Sequence, residues 1–257
     1  DIIRQCLENN IWMINVGTKY ETSKKAVEIA QNYEKGIYAS IGLHPIHLET
    51  NLVKIKIDLE EIQQFQLREQ EFDYSKYKEL ARSEKVVAIG EIGLDYYYRP
   101  KTKIRLKLFK EKQKTALLKQ LVLAKELDLP VIFHCRVAHQ DLIKTIKEHN
   151  NSVKKGVIHC FTGNWQEAQE YMEMGFYLGF NGLIFKLDFD EIIKKTPLEK
   201  ILIETDCPYL TPPNFEKERN NPLAVKHVIK KISEIKNLDF KKVVEITTEN
   251  AKKLFKI

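Results

Sequence analysis

The sequence predicts an α/β fold built as a (β/α)8-type barrel, with seven strands present in this chain and the first strand missing. Two observations predict it. Short runs rich in Val and Ile recur along the chain with room for a helix between them, as buried parallel strands do. Four of these runs, VVAIGEIGLDYY, LPVIFHCR, GVIHCFTG and ILIETDCPYL, each deliver a charged or imidazole side chain near the end: Glu91, His134, His159 and Asp206. In a barrel the carboxyl ends of the strands share one mouth, so two carboxylates and two imidazoles would meet there. Divalent metals of borderline hardness prefer that ligand set, which points to metal-assisted hydrolysis.

The elements follow in order. Residues 2 to 8 (IIRQCLE) carry apolar positions at helical spacing, and WMINVGT (12 to 18) reads as a strand ending at Gly17. A helix carrying Ala26, Ile29 and Ala30 comes next, then the strand GIYASIGLHP over 36 to 45. Residues 48 to 82 are dense in Glu, Lys and Gln with spaced Ile, Leu, Phe and Tyr, and no Pro or Gly cluster interrupts them. The segment therefore reads as a helical insertion in a single domain spanning 1 to 257. VVAIGEIGLD leads into a long amphipathic stretch at 103 to 127. PVIFHC, GVIHCF, FYLGFNGLIF and ILIETDC then alternate with helical segments, and two helices, 222 to 236 and 239 to 256, close the chain. A closed TIM barrel has eight strands, and the chain opens inside a helix on Asp1, so the remaining strand is expected upstream of it. An open doubly wound sheet is the alternative, which no G-x-G-x-x-G or Walker motif supports.

At 257 residues and 43% apolar content the chain can fill a sizeable core. The formal net charge of +6 is spread along the chain without a polybasic tail, so it only mildly favours an anionic partner such as nucleic acid. No apolar stretch approaches the roughly 20 residues of a membrane helix, and the first residues lack an export signature. A cytoplasmic protein without a membrane partner is expected, and a monomer is favoured. The four cysteines, Cys6, Cys135, Cys160 and Cys207, show no CxxC spacing, and three directly follow a predicted ligand. Strand alternation would turn them away from the ligands, as reduced, buried, small apolar residues.

Further motifs fall along the chain: NVGT at 15 to 18, GLHP at 42 to 45, GEIGLDYY at 90 to 97, LPVIFHCRVAHQD at 129 to 141, GVIHCFTGN at 156 to 164, ETDCPYL at 204 to 210 and RNNP at 219 to 222. In this set and order, over nearly the whole chain, they resemble the TatD family of metal-dependent deoxyribonucleases, within the amidohydrolase-like TIM-barrel enzymes. One departure stands out. The family's first strand ends in a His-x-His pair that supplies two metal ligands, and no such pair occurs here; His44 and His47 have the wrong spacing and sit in the second motif. The pair is expected upstream of Asp1.

The resemblance implies a hydrolase that cleaves phosphodiester bonds of DNA, directed at single strands or 3′ ends. It implies two divalent ions per complete site, of Mg, Mn or Zn. Glu91 would bridge them, His134 and His159 would complete the second ion's shell, and Asp206 would orient or deprotonate the attacking water, which makes Glu91 and Asp206 the catalytic pair. Around these ligands, His44, Arg136, Arg219 and Asn220 are the candidate substrate-binding residues. Each has a structural alternative: a hydrogen-bonded role for His44, a salt bridge to Asp141 or Glu204 for Arg136, and loop packing for Arg219 and Asn220. Asp95 is expected to cap the loop that follows it, with a supporting role behind the ligands as the alternative. His139, His149 and His227 are expected on the surface, and Tyr96, Tyr97, Tyr98 and Phe161 as rim packing rather than base-stacking platforms. Two other readings stand: an impaired remnant or nucleic-acid binder lacking the first ligands, and a hydrolase of a small ester, amide or aminoacyl substrate.

Overall fold

The structure, a computed structural model, describes residues 2–48, 52, 71–149, 153, 155–213, 215 and 219–257. They fall into two compact units, Ile14–Lys154 and Asp1–Met13 with Lys155–Ile257.

In the first unit, β1 (Met13–Val16), β2 (Ile37–Ile41), β3 (Val86–Asp95) and β4 (Val131–Arg136) lie side by side in chain order. The β2–β3 and β3–β4 pairings are parallel. Every residue of β3 is buried, as expected of a strand covered on both faces. Its ladder with β4 slips between Gly90 and Ile92, so Glu91 is an extra, bulged residue whose N–H instead donates to the carbonyl of Gly17 at 3.1 Å. Gly93, at φ +156, pairs with His134, and a Cβ there would fall 1.9 Å from the His134 carbonyl oxygen. Only glycine lets the two backbones approach this closely.

Helices of ordinary character fill in around these strands. Among them, α2 (Tyr20–Gln31) buries Ala26, Val27 and Ala30, and α3 (Tyr74–Leu80) starts at Asp73, whose side chain accepts from the Lys76 N–H. The expected helical insertion thus contains one described helix; residues 49–51 and 53–70 lie outside the described residues. The long α4 (Lys103–Glu126) buries Phe109, Gln113, Ala116, Leu117, Gln120, Leu121 and Ala124, spaced three and four apart along one face. Helix α5 (His139–Glu148) follows β4 and buries Leu142, Ile143 and Ile146.

The second unit opens with α1 (Ile2–Glu8), which buries Cys6. Its strands β5 (Gly156–Ile158), β6 (Tyr177–Phe180) and β7 (Ile201–Ile203) are parallel. All three are shorter than the sequence suggests. Cys160 and Asp206 adopt left-handed φ values of +46 and +55, so the chain leaves the sheet before it reaches either cysteine. The run FYLGFNGLIF likewise turns into a 3-10 helix over Gly182–Phe185, with the Asn181 side chain accepting the Leu183 N–H. Helix α6 (Trp165–Glu173) begins with a reciprocal capping box between Asn164 and Glu167. After α7 (Asp190–Lys195), a 3-10 turn at Pro222–Ala224 leads into α8 (Val225–Lys236), and α9 (Phe240–Phe255) ends the chain. Asn250 of α9 donates to the carbonyls of Leu198 and Ile201, both at 2.9 Å, and so ties the start of β7.

Candidate functional site

The first unit gathers four polar side chains around β3 and β4. Glu91, Gly93 and Asp95 alternate along β3, and His134 on β4 pairs with the glycine between the two carboxylates. Its Nδ1 lies 2.8 Å from Glu91 Oε1 and its Nε2 3.1 Å from Asp95 Oδ2. Carboxylates only accept, so both ring nitrogens donate. Burial would push the imidazole toward its neutral form, but hydrogen bonds and charge from Asp95 and Glu91 outweigh it and hold the His134 pKa up at about 9. Asp95 is depressed: burial opposes ionisation, and contact with His134 overrides it. His44 stands against this pair, its ring centroid 4.1 Å from that of His134 and its Nε2 3.8 Å from Glu91 Oε1. His44 Nδ1 accepts the Ile46 N–H at 3.0 Å, so the proton sits on Nε2, which faces Glu91 as a donor. Burial first, then the charge on His134, lowers the His44 pKa to about 3 and keeps it neutral.

Two buried glutamines of α4 hold this arrangement. Gln113 accepts the Asp95 N–H and donates to the Asp95 carbonyl, both at 2.9 Å. Gln120, two turns along, does the same for Leu43, at 2.7 and 3.1 Å, and so fixes the residue before His44. The sequence presents both only as polar residues of a mixed helix.

In the second unit His159 lies one residue beyond β5. Its Nδ1 is 2.7 Å from Glu204 Oε2, and its Nε2 is 3.4 Å from Asp206 Oδ1. Glu204 Oε1 also accepts the Cys160 N–H at 2.7 Å and the Asn181 Nδ2 at 3.0 Å. The sequence presents Glu204 only as a possible salt-bridge partner of Arg136.

The donor sets suit a divalent ion. Ligand atoms about 2.1 Å from a tetrahedral ion stand about 3.4 Å apart, which is the separation of His159 Nε2 and Asp206 Oδ1. Donor atoms of His44, Glu91 and His134 lie within 4.8 Å of one another. Without an ion His44 and His134 both donate within that trio, so ligation by His134 requires loss of a ring proton and release of one of its carboxylate contacts. The four predicted ligands are thus brought together as two pairs, Glu91 with His134 and His159 with Asp206.

The predicted substrate residues divide. Arg136 is exposed and stacks on the exposed Tyr97 ring, 3.6 Å from guanidinium carbon to ring centroid, while its alternative partner Asp141 accepts from Lys110 at 2.8 Å. Asn220 is buried and donates to the carbonyls of Thr205 and Tyr209, so it clamps the turn that carries Asp206. Its neighbour Arg219 is exposed. Asp95 plays both predicted parts, accepting the Tyr97 N–H at 2.8 Å and supporting His134. Two expectations need correction. His139 is buried at the start of α5 rather than on the surface, and His149 and His227 are half-buried. Cys160 is half-buried and Cys207 exposed, because both lie past the ends of their strands, where alternation no longer applies. All four cysteines are free thiols, and burial raises Cys160 to about 12.

Residues 1–256 match the family profile described as TatD related DNase. The chain belongs to that family. It is 41% identical over 248 residues to a Bacillus subtilis (strain 168) protein named uncharacterized metal-dependent hydrolase YabD, covering 95% of this chain and 87% of the relative. It is 32% identical over 251 residues to the 3'-5' ssDNA/RNA exonuclease TatD of Cronobacter sakazakii, covering 95% and 86%. Among solved structures it superimposes on YJJV, a TatD homolog from Escherichia coli K12, with a TM-score of 0.78 at 28% identity, covering 96% of this chain and 86% of that one. The TatD member described here is a metal-dependent hydrolase acting on ester bonds, with an α/β fold of the TIM (β/α)8 type that contributes seven parallel strands. No helix among the described residues is long and apolar enough to cross a membrane.

Proposed function

We propose that this chain hydrolyses phosphodiester bonds of DNA, at single strands or 3′ ends, with two divalent ions of Mg, Mn or Zn. The observation that carries the reading is the His159–Asp206 pair, an imidazole nitrogen and a carboxylate oxygen 3.4 Å apart, at ligand spacing. Glu91, His134, His159 and Asp206 are the proposed ligands, and Glu91 and Asp206 the catalytic groups. Divalent ions held by these residues would neutralise the phosphodiester and lower the pKa of water toward neutrality.

The chain's own residues supply the rest. Asp206 would accept the proton of the attacking water through the carboxylate oxygen that does not hold the ion, and the Asn220 clamp on the neighbouring Thr205 carbonyl holds the turn from which it acts. Asp95 keeps the His134 ring from rotating away from Glu91. His44, neutral and protonated on Nε2, is a donor suited to a phosphoryl oxygen. The exposed Arg136 guanidinium on the Tyr97 face offers positive charge and a flat surface to a nucleotide, and Arg219 a second charge. Relatives named as ssDNA/RNA exonucleases support a polynucleotide substrate. Free thiols fit a reducing cytoplasm.

The test is turnover of a 3′-labelled single-stranded oligonucleotide with added Mg, Mn or Zn. Glu91→Gln and Asp206→Ala are expected to abolish it. Full activity in both variants, or faster cleavage of small phosphate, carboxylate or aminoacyl esters than of DNA, would overturn the reading.

A further inference from the structure

Resting on the reading that His159 and Asp206 ligate metal, we propose that Glu204 is the positioning residue that makes His159 a ligand. Its carboxylate selects the imidazole tautomer with the proton on Nδ1 and the lone pair on Nε2.

Glu204 is held more firmly than a surface carboxylate. Its N–H donates to the Phe180 carbonyl at 3.0 Å, extending the β6–β7 pairing by one residue past Ile203. Its side chain is only 19% exposed and takes three donors: His159 Nδ1, the Cys160 N–H and Asn181 Nδ2. Asn181, itself 1% exposed, is fixed by accepting the Leu183 N–H at 3.0 Å. The bond to the Cys160 N–H also braces the left-handed turn directly after His159. Gly179 reserves the space, because a Cβ there would fall 2.5 Å from Glu204 Oε2. An acceptor-only group on Nδ1 obliges that nitrogen to donate, so Nε2, beside Asp206, is the nitrogen that can offer its lone pair to an ion. A carboxylate behind a ligating imidazole also raises its basicity toward the metal.

Glutamine has the shape of glutamate but the wrong hydrogens for this position. If its amide NH2 meets His159, the ring proton moves to Nε2 and the lone pair is lost. If its oxygen meets His159, the NH2 opposes two donors, the Cys160 N–H and Asn181 Nδ2.

The experiment uses the full chain with Mn2+ alone and two readouts, metal affinity by calorimetry and the His159 tautomer in the metal-free protein by nitrogen-detected NMR. Glu204→Gln is expected to weaken Mn2+ binding by roughly 10–100-fold and to shift the ring proton from Nδ1 to Nε2. Gly179→Ala, which displaces the end of the Glu204 side chain without removing a charge, is expected to weaken binding in the same direction and serves if Glu204→Gln does not fold. His159→Ala separates the two ideas. If it leaves Mn2+ affinity unchanged, His159 is not a ligand and the proposed function fails at this position. If it weakens binding while Glu204→Gln and Gly179→Ala change neither affinity nor tautomer, the role of Glu204 alone is overturned.

Discussion

His134 and His159 introduce the same dipeptide, His-Cys, after similar apolar runs, yet the two imidazoles are held differently. His134 sits within β4, and both its nitrogens face carboxylates, Glu91 and Asp95. His159 lies beyond the end of β5, with one nitrogen on Glu204 and the other opening toward Asp206. Each neighbours a glycine strand position with different consequences. At Gly93 the missing Cβ admits the backbone of His134, and at Gly179 it admits the side chain of Glu204. What a histidine can do is set by the spacing of the acids around it, and the residue itself does not decide it.

The largest effect that sharpens this contrast is on turnover. Asp206→Ala removes the carboxylate beside His159 Nε2 and is expected to lower oligonucleotide hydrolysis by roughly 10²–10⁴-fold. Asp95→Asn, which alters the carboxylate behind the doubly engaged ring and keeps an oxygen for the Tyr97 N–H, is expected to cost about 10-fold. Steady-state rates at saturating metal measure both, and equal losses would erase the distinction between the pairs.

The next effect is on titration in the metal-free protein. His134 is expected to stay protonated to about pH 9 and His44 to stay neutral to about pH 3. Both depart from an ordinary value of 6.5, in opposite directions. The stability supplied by His134 is therefore complete below pH 6.5 and lost as pH rises through about 9, whereas that tied to neutral His44 is complete above pH 6.5 and lost as pH falls toward about 3. Urea midpoints of metal-free protein should decline on both sides. His134→Asn should flatten the alkaline decline and raise the His44 midpoint seen by NMR, since the His134 charge is the second cause of its depression after burial. An unmoved His44 would show that burial alone controls it.

Smaller again is the cost of freeing a backbone that supports the first cluster. Gln120→Leu leaves the buried Leu43 N–H and carbonyl without their partner, and Gln113→Leu does the same at Asp95. Each is expected to lose about 3 kcal/mol in chemical denaturation. The smallest effect is at the rim: Arg136→Gln should raise KM for an oligonucleotide about fivefold with kcat unchanged, the scale of one exposed charged contact.

The strands and the two histidine–carboxylate pairs were legible because each ends a Val- and Ile-rich run, a local signal. For Asp95 the supporting role was legible only as an alternative and its partner was not, since the contact with His134 depends on cross-strand register: the slip at Glu91 puts His134 opposite Gly93. A Glu-Ile-Gly-Leu-Asp alternation facing a histidine strand was the available clue. Glu204 was hidden because its partner is remote in sequence: alternation places it on the same face as Asp206, but nothing local shows that its carboxylate meets His159 from another strand end. Gln113 and Gln120 were hidden because a buried glutamine bonded to a strand backbone reads, in one dimension, like a solvated one.

Those two glutamines make α4 a splint. They stand seven residues apart, about 10 Å along the axis, and each grips one residue at both its backbone groups. Sliding the helix by a single residue, about 1.5 Å, would sever all four bonds together. Disturbance at either end of this rod is thus shared by the backbones beside His44 and at Asp95, and a clamp placed on its outer surface would stiffen both from a distance.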